Sequence, residues 1–322
     1  MKIKNSLGVN IVGILTNESY LPSRSAGNHI QEVLERNNIN IKKLNIADII
    51  SGKVGCDTVF NVYYGEIGDS GLISGILEKN GINYIGNSQY ACSLMWNKII
   101  TKKILIINGY KTPKYWYDAD SSKTEEEFRS QIEINVKYPM VFKPVCGAVS
   151  ENIIIVENRD NLIRTLKENI HLINSGFYFI EEFIKGVEIS AGYVNVLNNL
   201  LPIVQISLKG RHIQSNEVKF TPGLKENIIP ARLSHHVYKR IQNIAKELNL
   251  LFLANTFSRT DMIYSTERDE IYILEINSNP GLLEKSLLPL LVKESGIDHD
   301  DFFLKLLSNS LENNNVQARE HN

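Results

Sequence analysis

The chain has 322 residues, enough for two or three domains, and 43 % of them are hydrophobic, enough for buried cores. Its 35 lysines and arginines nearly balance its 36 aspartates and glutamates, so the composition argues against binding to nucleic acid or to an anionic membrane. The amino-terminal residues form no apolar signal core, and no run approaches the roughly 20 apolar residues of a membrane span. We therefore expect a soluble, cytoplasmic protein.

Short strands alternate with helices in residues 1–96. The predicted strands are 10–16, 39–46 and 58–64, and the predicted helices are 26–36 and 72–79. Such alternation predicts a parallel sheet with helices on both faces. A single long helix over 88–108 is predicted to lead away from this unit, and we place the domain boundary at residue 96.

The remaining chain divides into two predicted units and a tail. Residues 97–187 combine strands at 140–145, 152–156 and 177–184 with a helix at 160–169. Residues 188–311 are richer in strands, with runs at 186–195, 200–208, 255–264 and 270–277 and helices at 233–248, 285–294 and 301–311. Runs of strands followed by helices are typical of the α+β class. Residues 312–322 are polar and are predicted to be disordered.

The segment 259–277 predicts a β-hairpin, because two β-rich runs flank a polar, turn-like stretch. If the turn is centred near residue 268, Asp261 lies opposite Glu275. In the same register Arg259 lies opposite Asn277, and all four side chains share one face. The other face carries the side chains expected in the core, which are Met262, Tyr264, Tyr272, Leu274 and Ile276.

The polar face of this hairpin predicts a metal site. The carboxylates of Asp261 and Glu275, with the amide of Asn277, would repel one another and lose hydration unless a cation lay between them. Hard oxygen ligands of this kind suit Mg²⁺ together with a nucleotide phosphate. The alternative is a solvated polar face on which Arg259 pairs with the acids.

Two further segments point to anions. Gly281 and Ser286 follow the hairpin, and a glycine and a helix start can present backbone N–H groups to a carboxylate. Lys143 ends a hydrophobic strand before the small-residue stretch 146–150, which suits a loop that closes over phosphates. Glu181 lies beside Glu182 in a predicted strand, and the residues alone favour a structural role, with one acid buried and one exposed on an edge strand. The sequence contains neither a P-loop nor a GxGxxG motif.

Several motifs in order resemble those of the D-alanine–D-alanine ligases, a branch of the ATP-grasp superfamily, over nearly the whole chain. The strongest is Leu274-Glu-Ile-Asn-Ser-Asn-Pro-Gly281 with Ser286-Leu-Leu-Pro289, which is similar to the family's Glu-x-Asn-Thr-x-Pro-Gly and Ser-Leu-x-Pro pattern. Upstream, the resembling runs are Gly68-Asp-Ser-Gly71, Gly75-Ile-Leu-Glu78, Gly81-Ile-Asn-Tyr-Ile-Gly86 and Asn97-Lys98, the last in place of Asp-Lys. The resemblance implies a three-domain ATP-grasp fold, α/β and α+β, whose N-terminal parallel-sheet domain is Rossmann-like.

The resemblance also implies residue roles. ATP would contact Lys98, Lys143, Ser150 and Lys219 through its phosphates, Glu181 and Ile184 through its adenine, and Glu188 through its ribose. Two Mg²⁺ ions, or Mn²⁺, would bind Asp261, Glu275 and Asn277. The residues closest to catalysis would be Arg259, which stabilises the oxyanion, with Lys219 and Ser150. The second substrate's carboxylate would bind Gly281 and Ser286.

The departures from the family cluster where it binds its first substrate. Tyr64 replaces a histidine, Val149 replaces a serine and Phe220 replaces a tyrosine, and we assign all three to the substrate pocket. The family's ammonium-binding glutamate has no clear counterpart, and Glu18 is one candidate. Fewer polar partners penalise a substrate ammonium, because its charge would be poorly solvated.

The family reaction phosphorylates one carboxylate with ATP and lets an amine attack the acyl phosphate. We therefore predict an ATP- and Mg²⁺-dependent carboxylate–amine ligase that acts on small molecules, with a non-standard first substrate and an amino acid as the second. One alternative is a genuine D-alanine–D-alanine ligase of cell-wall precursor synthesis. Another is a non-catalytic ATP-binding regulatory protein. The resemblance also implies a possible homodimer.

Overall fold

The computed structural model describes residues 11–120, 122–147, 153–208 and 225–320. Its first sheet is parallel, in the strand order β2-β1-β3-β4. The strands are β1 (Ile11–Thr16), β2 (Asn40–Leu44), β3 (Thr58–Val62) and β4 (Tyr84–Ile85), and the helices are α1 (Leu21–Arg36), α2 (Ile46–Ile50), α3 (Glu66–Asp69) and α4 (Leu72–Lys79). This confirms the predicted parallel unit. The carboxyl ends of β1 and β3 meet at one edge, where residues 17–23 and 63–70 follow them.

The predicted long helix over 88–108 is wrong, because the chain forms two helices there. They are α5 (Gln89–Trp96) and α6 (Lys98–Ile107). Asn97 between them is extended, and its side chain accepts hydrogen bonds from the backbone N–H groups of Ile99 and Ile100. An asparagine at this position ends one helix and caps the next. The second helix therefore begins at Lys98, whose backbone N–H donates to the carbonyl of Val145 over 2.9 Å.

The second sheet is antiparallel, in the order β5-β8-β6-β7, and two helices cover it. The elements are β5 (Tyr115–Trp116), α7 (Glu125–Asn135), β6 (Met140–Pro144), β7 (Ile154–Val156), α8 (Arg159–Asn174) and β8 (Tyr178–Glu182). Apolar side chains of α7 and α8, such as Phe128 and Leu166, share one core with Phe142 and Ile180 of the sheet. The sheet is thereby held as a small unit of its own.

The third sheet is also antiparallel, in the order β11-β10-β9-β12-β13, as expected for the α+β part of the chain. Its elements are β9 (Val187–Val194), a 3₁₀ turn (Asn195–Leu197), β10 (Ile203–Leu208), β11 (Lys225–Ile228), α9 (His235–Leu251), β12 (Phe257–Ser265), β13 (Glu270–Asn277), α10 (Leu287–Glu294) and α11 (His299–Glu320). The structure continues α11 through residues 312–320, whereas composition predicts a disordered tail there. The first half of this helix is anchored by Phe303 and Leu307, which are fully buried.

The predicted hairpin register is confirmed at the polar end. Arg259 pairs with Asn277 and Asp261 pairs with Glu275, but the register then shifts, so that Met262 pairs with Ile273. Leu274 is the extra residue of this bulge. Between the bulge and the turn, the strand therefore presents to the core the side chains of the face opposite to the predicted one. The core on this face therefore contains Met262, Ile276, Ile271 and Ile273. Of the predicted core residues, Tyr272 is buried but packs outside this cluster, and Leu274 is only half-buried.

The first and third units share a hydrophobic core. One cluster joins Ile30 and Phe60 of the first unit to Phe257 of β12 and Leu288 of α10. Because these side chains are fully or almost fully buried, the edge that follows β3 is fixed against the segment that follows β13. The predicted boundaries at 96 and 187 remain predictions. Within the described ranges, we find no helix of the length and apolarity that a bilayer crossing needs.

Candidate active site

The polar end of the hairpin is a compact charge cluster around Asp261. Nε and Nη2 of Arg259 donate to its two carboxylate oxygens over 3.0 and 2.8 Å. Ser190, which pairs with Asp261 across β9 and β12, donates its hydroxyl to the same carboxylate over 2.5 Å. Arg259 thus pairs with an acid, as the alternative interpretation expects. The face is nevertheless sheltered, since the Arg259 and Asp261 side chains are only 20 % and 18 % exposed.

Lys98 links this cluster to the end of β6. Its ammonium donates to the carbonyl of Gly147 over 2.7 Å and lies 3.5 Å from a carboxylate oxygen of Glu275. Lys98 is 6 % exposed, so its charge acts in a site with little water. It lines a narrow polar cavity with Asp69, Gly147, Glu275 and Asn277. A lysine, two acids and an amide therefore meet where the sequence predicts phosphate and metal.

Lys143 and Glu181 also come together, in a buried cluster with Lys102. The Glu181 carboxylate lies 2.5 Å from the Lys143 ammonium and 2.6 Å from the Lys102 ammonium. Burial raises the pKa of Glu181, but the two lysines outweigh burial and leave this pKa below its usual range. Burial lowers the pKa of Lys102 to about 8. Glu181 is therefore an ion held by two cations.

Sequence reasoning missed Lys102, although a signal was present. It follows Lys98 by four residues in the same helix, so both lysines lie on the same face. That face is buried, and a buried lysine needs a fixed anion. This spacing predicts that Lys102 pairs with an anion. Only the fold identifies that anion as Glu181.

Ile184 and Glu188 line a cleft between the second and third sheets. The cleft has a volume of about 680 Å³, and its walls include Phe183, Ile206 and Ile263. The cleft is also lined by the carboxylates of Glu157 and Glu188, and apolar walls with such polar groups suit a flat ring and a hydroxylated sugar. These two residues thus lie where the sequence predicts adenine and ribose. Glu181 lies outside this cleft, 3 % exposed between its lysines, and its predicted contact with adenine remains a prediction.

Gly281 and Ser286 are brought together by the turn after β13. A side-chain carbon added at Gly281 would lie 2.8 Å from the Ser286 hydroxyl, so only glycine leaves this space open. Ser286 occupies the N-cap position of α10, yet its side chain makes no capping hydrogen bond. One small space is therefore lined by the Ser286 hydroxyl, the backbone at Gly281 and the N-terminus of the eight-residue helix α10. Such an arrangement suits an anion.

The first unit anchors this turn through Tyr64 and Asp69. The Tyr64 hydroxyl accepts a hydrogen bond from the backbone N–H of Leu282 over 2.9 Å. The Asp69 carboxylate accepts from the Asn279 amide, and its backbone carbonyl accepts from the Ser278 hydroxyl, each over 3.2 Å. Burial raises the pKa of Asp69 to about 7. Asp69 belongs to the motif Gly68-Asp-Ser-Gly71 and is a further residue of the candidate site, for which motif resemblance alone gives no role.

The residues present fit a divalent metal by donor chemistry. Asp261, Glu275 and Asn277 supply hard oxygen atoms from paired positions of two strands. Arg259 and Lys98 neutralise the two acids in this structure, so a metal would take over part of their role. Among the described residues, no three His, Cys, Asp or Glu side chains cluster as a metal centre. The amide and the substrate phosphates would have to complete the ligand set.

Four predicted site residues lie outside the described residues. They are Val149, Ser150, Lys219 and Phe220. Their assigned roles remain predictions.

Comparisons with known proteins bear on the whole chain. The family model described as D-ala D-ala ligase C-terminus matches residues 110–308. The D-alanine–D-alanine ligase of Carboxydothermus hydrogenoformans is 32 % identical over 308 residues, covering 94 % of this chain and 97 % of that protein. The D-alanine–D-alanine ligase of Moorella thermoacetica is 30 % identical over 263 residues, covering 80 % of this chain and 82 % of that protein.

Solved structures agree in fold. The D-alanine–D-alanine ligase from Bacillus anthracis complexed with ATP superposes with a TM-score of 0.78 at 22 % identity, covering 96 % of this chain and 99 % of that chain. The VanG D-Ala:D-Ser ligase from Enterococcus faecalis superposes with a TM-score of 0.76 at 23 % identity, covering 94 % and 99 %. With the family model matching more than half of its residues, the chain belongs to the D-alanine–D-alanine ligase family of ATP-grasp enzymes, which are ADP-forming ligases that make a C–N bond.

Proposed function

We propose that this enzyme joins two molecules of D-alanine into D-alanyl-D-alanine. The relative from Carboxydothermus hydrogenoformans carries the name of that activity and aligns with 94 % of this chain. This relative favours the alternative of the sequence analysis over its main hypothesis of a non-standard first substrate. In the proposed reaction ATP phosphorylates the carboxylate of the first D-alanine and leaves as ADP. The amine of the second then attacks the acyl phosphate, releases phosphate and forms the amide bond.

The observation that carries this proposal is the convergence at the end of the hairpin. Lys98, Glu275 and Asn277 line one cavity, and Gly281 and Ser286 lie in the turn that follows the strand of Glu275 and Asn277. The cation expected to bind phosphate thus lies beside the strand end from which the turn expected to bind a carboxylate continues. This arrangement suits a reaction in which an activated carboxylate must meet an amino acid whose own carboxylate is held in place.

Each group has a chemical task in this reaction. The cleft at Ile184 and Glu188 would hold the nucleoside, and Lys98 and Lys143 would neutralise its phosphates. Arg259 would stabilise the negative charge that develops on the attacked carbonyl. Asp261, Glu275 and Asn277 would hold two Mg²⁺ ions, which supply charge neutralisation at the transferred phosphoryl group when bound. Ser150 and Lys219 are assigned to the phosphates by the family resemblance.

The test uses the purified full chain with ATP, Mg²⁺ and single or paired amino acids. We expect phosphate release with D-alanine alone and a dipeptide of the mass of D-alanyl-D-alanine. The Asp261→Asn variant serves as the control, since it should remain folded and lose turnover. Phosphate release only with a different carboxylate, or only with D-alanine paired with another acid, would contradict the proposal.

A mixed ligase with a different first substrate is the second candidate. The observation in its favour is Tyr64, which stands in place of the family histidine and is 6 % exposed. Its hydroxyl is already engaged by Leu282, so it offers a substrate less than a free imidazole would. Product analysis with D-alanine paired with D-serine, D-lactate or other small carboxylic acids distinguishes the two functions.

A further inference from the structure

Lys102 is buried at the back of the expected ATP site and is outside the roles assigned so far. Its side chain is 0 % exposed, and its ammonium lies over the rings of Tyr115 and Phe179, 5.6 and 5.8 Å from the ring centres. It donates a hydrogen bond to the Thr112 hydroxyl over 2.6 Å and forms an ion pair with a carboxylate oxygen of Glu181 at 2.6 Å. A group so enclosed cannot touch a substrate, so any effect on the reaction must pass through its partners.

The partner that matters is Glu181, because Lys143 shares it. The two lysines contact different oxygens of one carboxylate that is 3 % exposed. Two positive charges and one negative charge leave a net charge of +1 in a dry environment, where charges interact strongly. Without Lys102, Glu181 and Lys143 would form a neutral pair, and the cluster would lose the charge that attracts a phosphate.

The surplus charge lies on the side of the expected phosphates. Lys143 is the last residue but one of β6. Four residues after it comes Gly147, whose carbonyl accepts a hydrogen bond from the Lys98 ammonium. Lys98 and Lys143 are both close enough to lower the pKa of Lys102 by repulsion, after the larger effect of burial and against the attraction of Glu181. The three lysines thus form one electrostatic unit, and Lys102 is its innermost member.

We propose that Lys102 is a positioning residue for ATP: it balances the Glu181 carboxylate, so that Lys143 keeps its positive charge available for the phosphates. The inference rests on the proposed use of ATP but is independent of which amino acids are joined. Its competitor is a purely structural role, in which Lys102 only ties α6 to β8 and to the segment around Thr112.

A double-mutant cycle separates the two roles. The titrated proteins are the full-length wild type, Lys102→Met, Glu181→Gln and the double variant, and isothermal titration measures their affinity for ATP with Mg²⁺. We expect Lys102→Met alone to weaken ATP binding by at least about tenfold, which equals about 1.4 kcal/mol. In the Glu181→Gln background the same change should alter affinity less than about threefold, because no charge remains to be balanced.

Lys103→Met is the matched control, since Lys103 is a neighbouring lysine on the same helix and is exposed. The Lys103→Met protein should bind ATP with the affinity of the wild type. Steady-state kinetics should show a raised KM for ATP and an unchanged KM for D-alanine. Unchanged ATP affinity in Lys102→Met, or equal losses in both backgrounds, would overturn the inference. If Lys102→Met does not fold, the comparison of Glu181→Gln with the double variant decides, and a tenfold difference between them refutes the inference.

Weakened ATP binding with no D-alanyl-D-alanine formed by the wild type would refute the proposed function while leaving this inference intact. D-Alanyl-D-alanine synthesis by the wild type, together with unchanged ATP affinity in Lys102→Met, would support the proposed function and refute this inference. The two conclusions therefore fail separately.

Discussion

Removing a single hydroxyl, in the variant Tyr64→Phe, tests how the first unit holds the acceptor turn. The Leu282 N–H donates to that hydroxyl, and the Leu282 side chain is only 1 % exposed. Phenylalanine keeps the ring in the core but leaves a buried N–H without a partner, which costs about 2 kcal/mol. We expect the melting temperature to fall by about 4 °C for a chain of this size.

The same change should also appear in the kinetics. The orphaned N–H can regain a partner only if the turn moves toward water, and that movement displaces Gly281. We expect the KM for the second D-alanine to rise about three- to tenfold while the KM for ATP stays the same. Tyr90→Phe is the control, since Tyr90 is 76 % exposed. A Tyr64→Phe enzyme with the stability and the acceptor KM of the wild type would refute the reasoning.

Three further predictions concern the site and its supports. Ser286→Ala should raise the KM for the second D-alanine about tenfold in steady-state assays, with little change in melting temperature, because the hydroxyl makes no capping bond; a normal KM would contradict its role. Asn97→Ala should lower the unfolding free energy by about 1 kcal/mol, whereas Asn97→Asp should keep it, as denaturant titration would show; equal values for both would refute the cap. Burial lowers the pKa of Lys102 to about 8, whereas a lysine in the unfolded chain has a pKa of about 10. Between these pH values the unfolded state binds more protons at this residue than the folded state does. The contribution of Lys102 to the free energy of unfolding therefore rises with pH across that range. Urea unfolding at about pH 7.5 and pH 9.5 should show a smaller rise for Lys102→Met than for the wild type, and identical changes would refute that assignment.

Local patterns predicted most of the elements and part of the site. Alternation and periodicity identified the parallel unit, and counting from the turn at residue 268 gave the pairing of Asp261 with Glu275. The arithmetic failed between the turn and the bulge at Leu274, because one extra residue reverses the side chains on that side and leaves no mark in the hydrophobic pattern. Likewise, the predicted single helix over 88–108 places Asn97 in its interior, although asparagine is common at helix caps.

What the sequence could not supply was partnership across the chain. Glu181 was recognised as an acid in a strand, but its neutralisation by Lys102 and Lys143 depends on how α6 and β6 pack around β8. Asp69 was quoted within a motif, yet its bond to Asn279 joins residues that are more than 200 positions apart. Such contacts follow from topology, and local spacing carries no information about them.

The acceptor turn depends on the first unit for its shape, and this bears on where the function resides. The family model matches residues 110–308, which include the hairpin and the turn. The turn is nevertheless held from outside that range, by Tyr64 at Leu282 and by Asn87, whose amide donates to the carbonyls of Ser278 and Phe257, each over 2.6 Å. Asn87 is 2 % exposed, so losing these bonds would leave two buried carbonyls unsatisfied. A fragment without the first unit would therefore keep the acids of the hairpin but lose the geometry that holds the second amino acid.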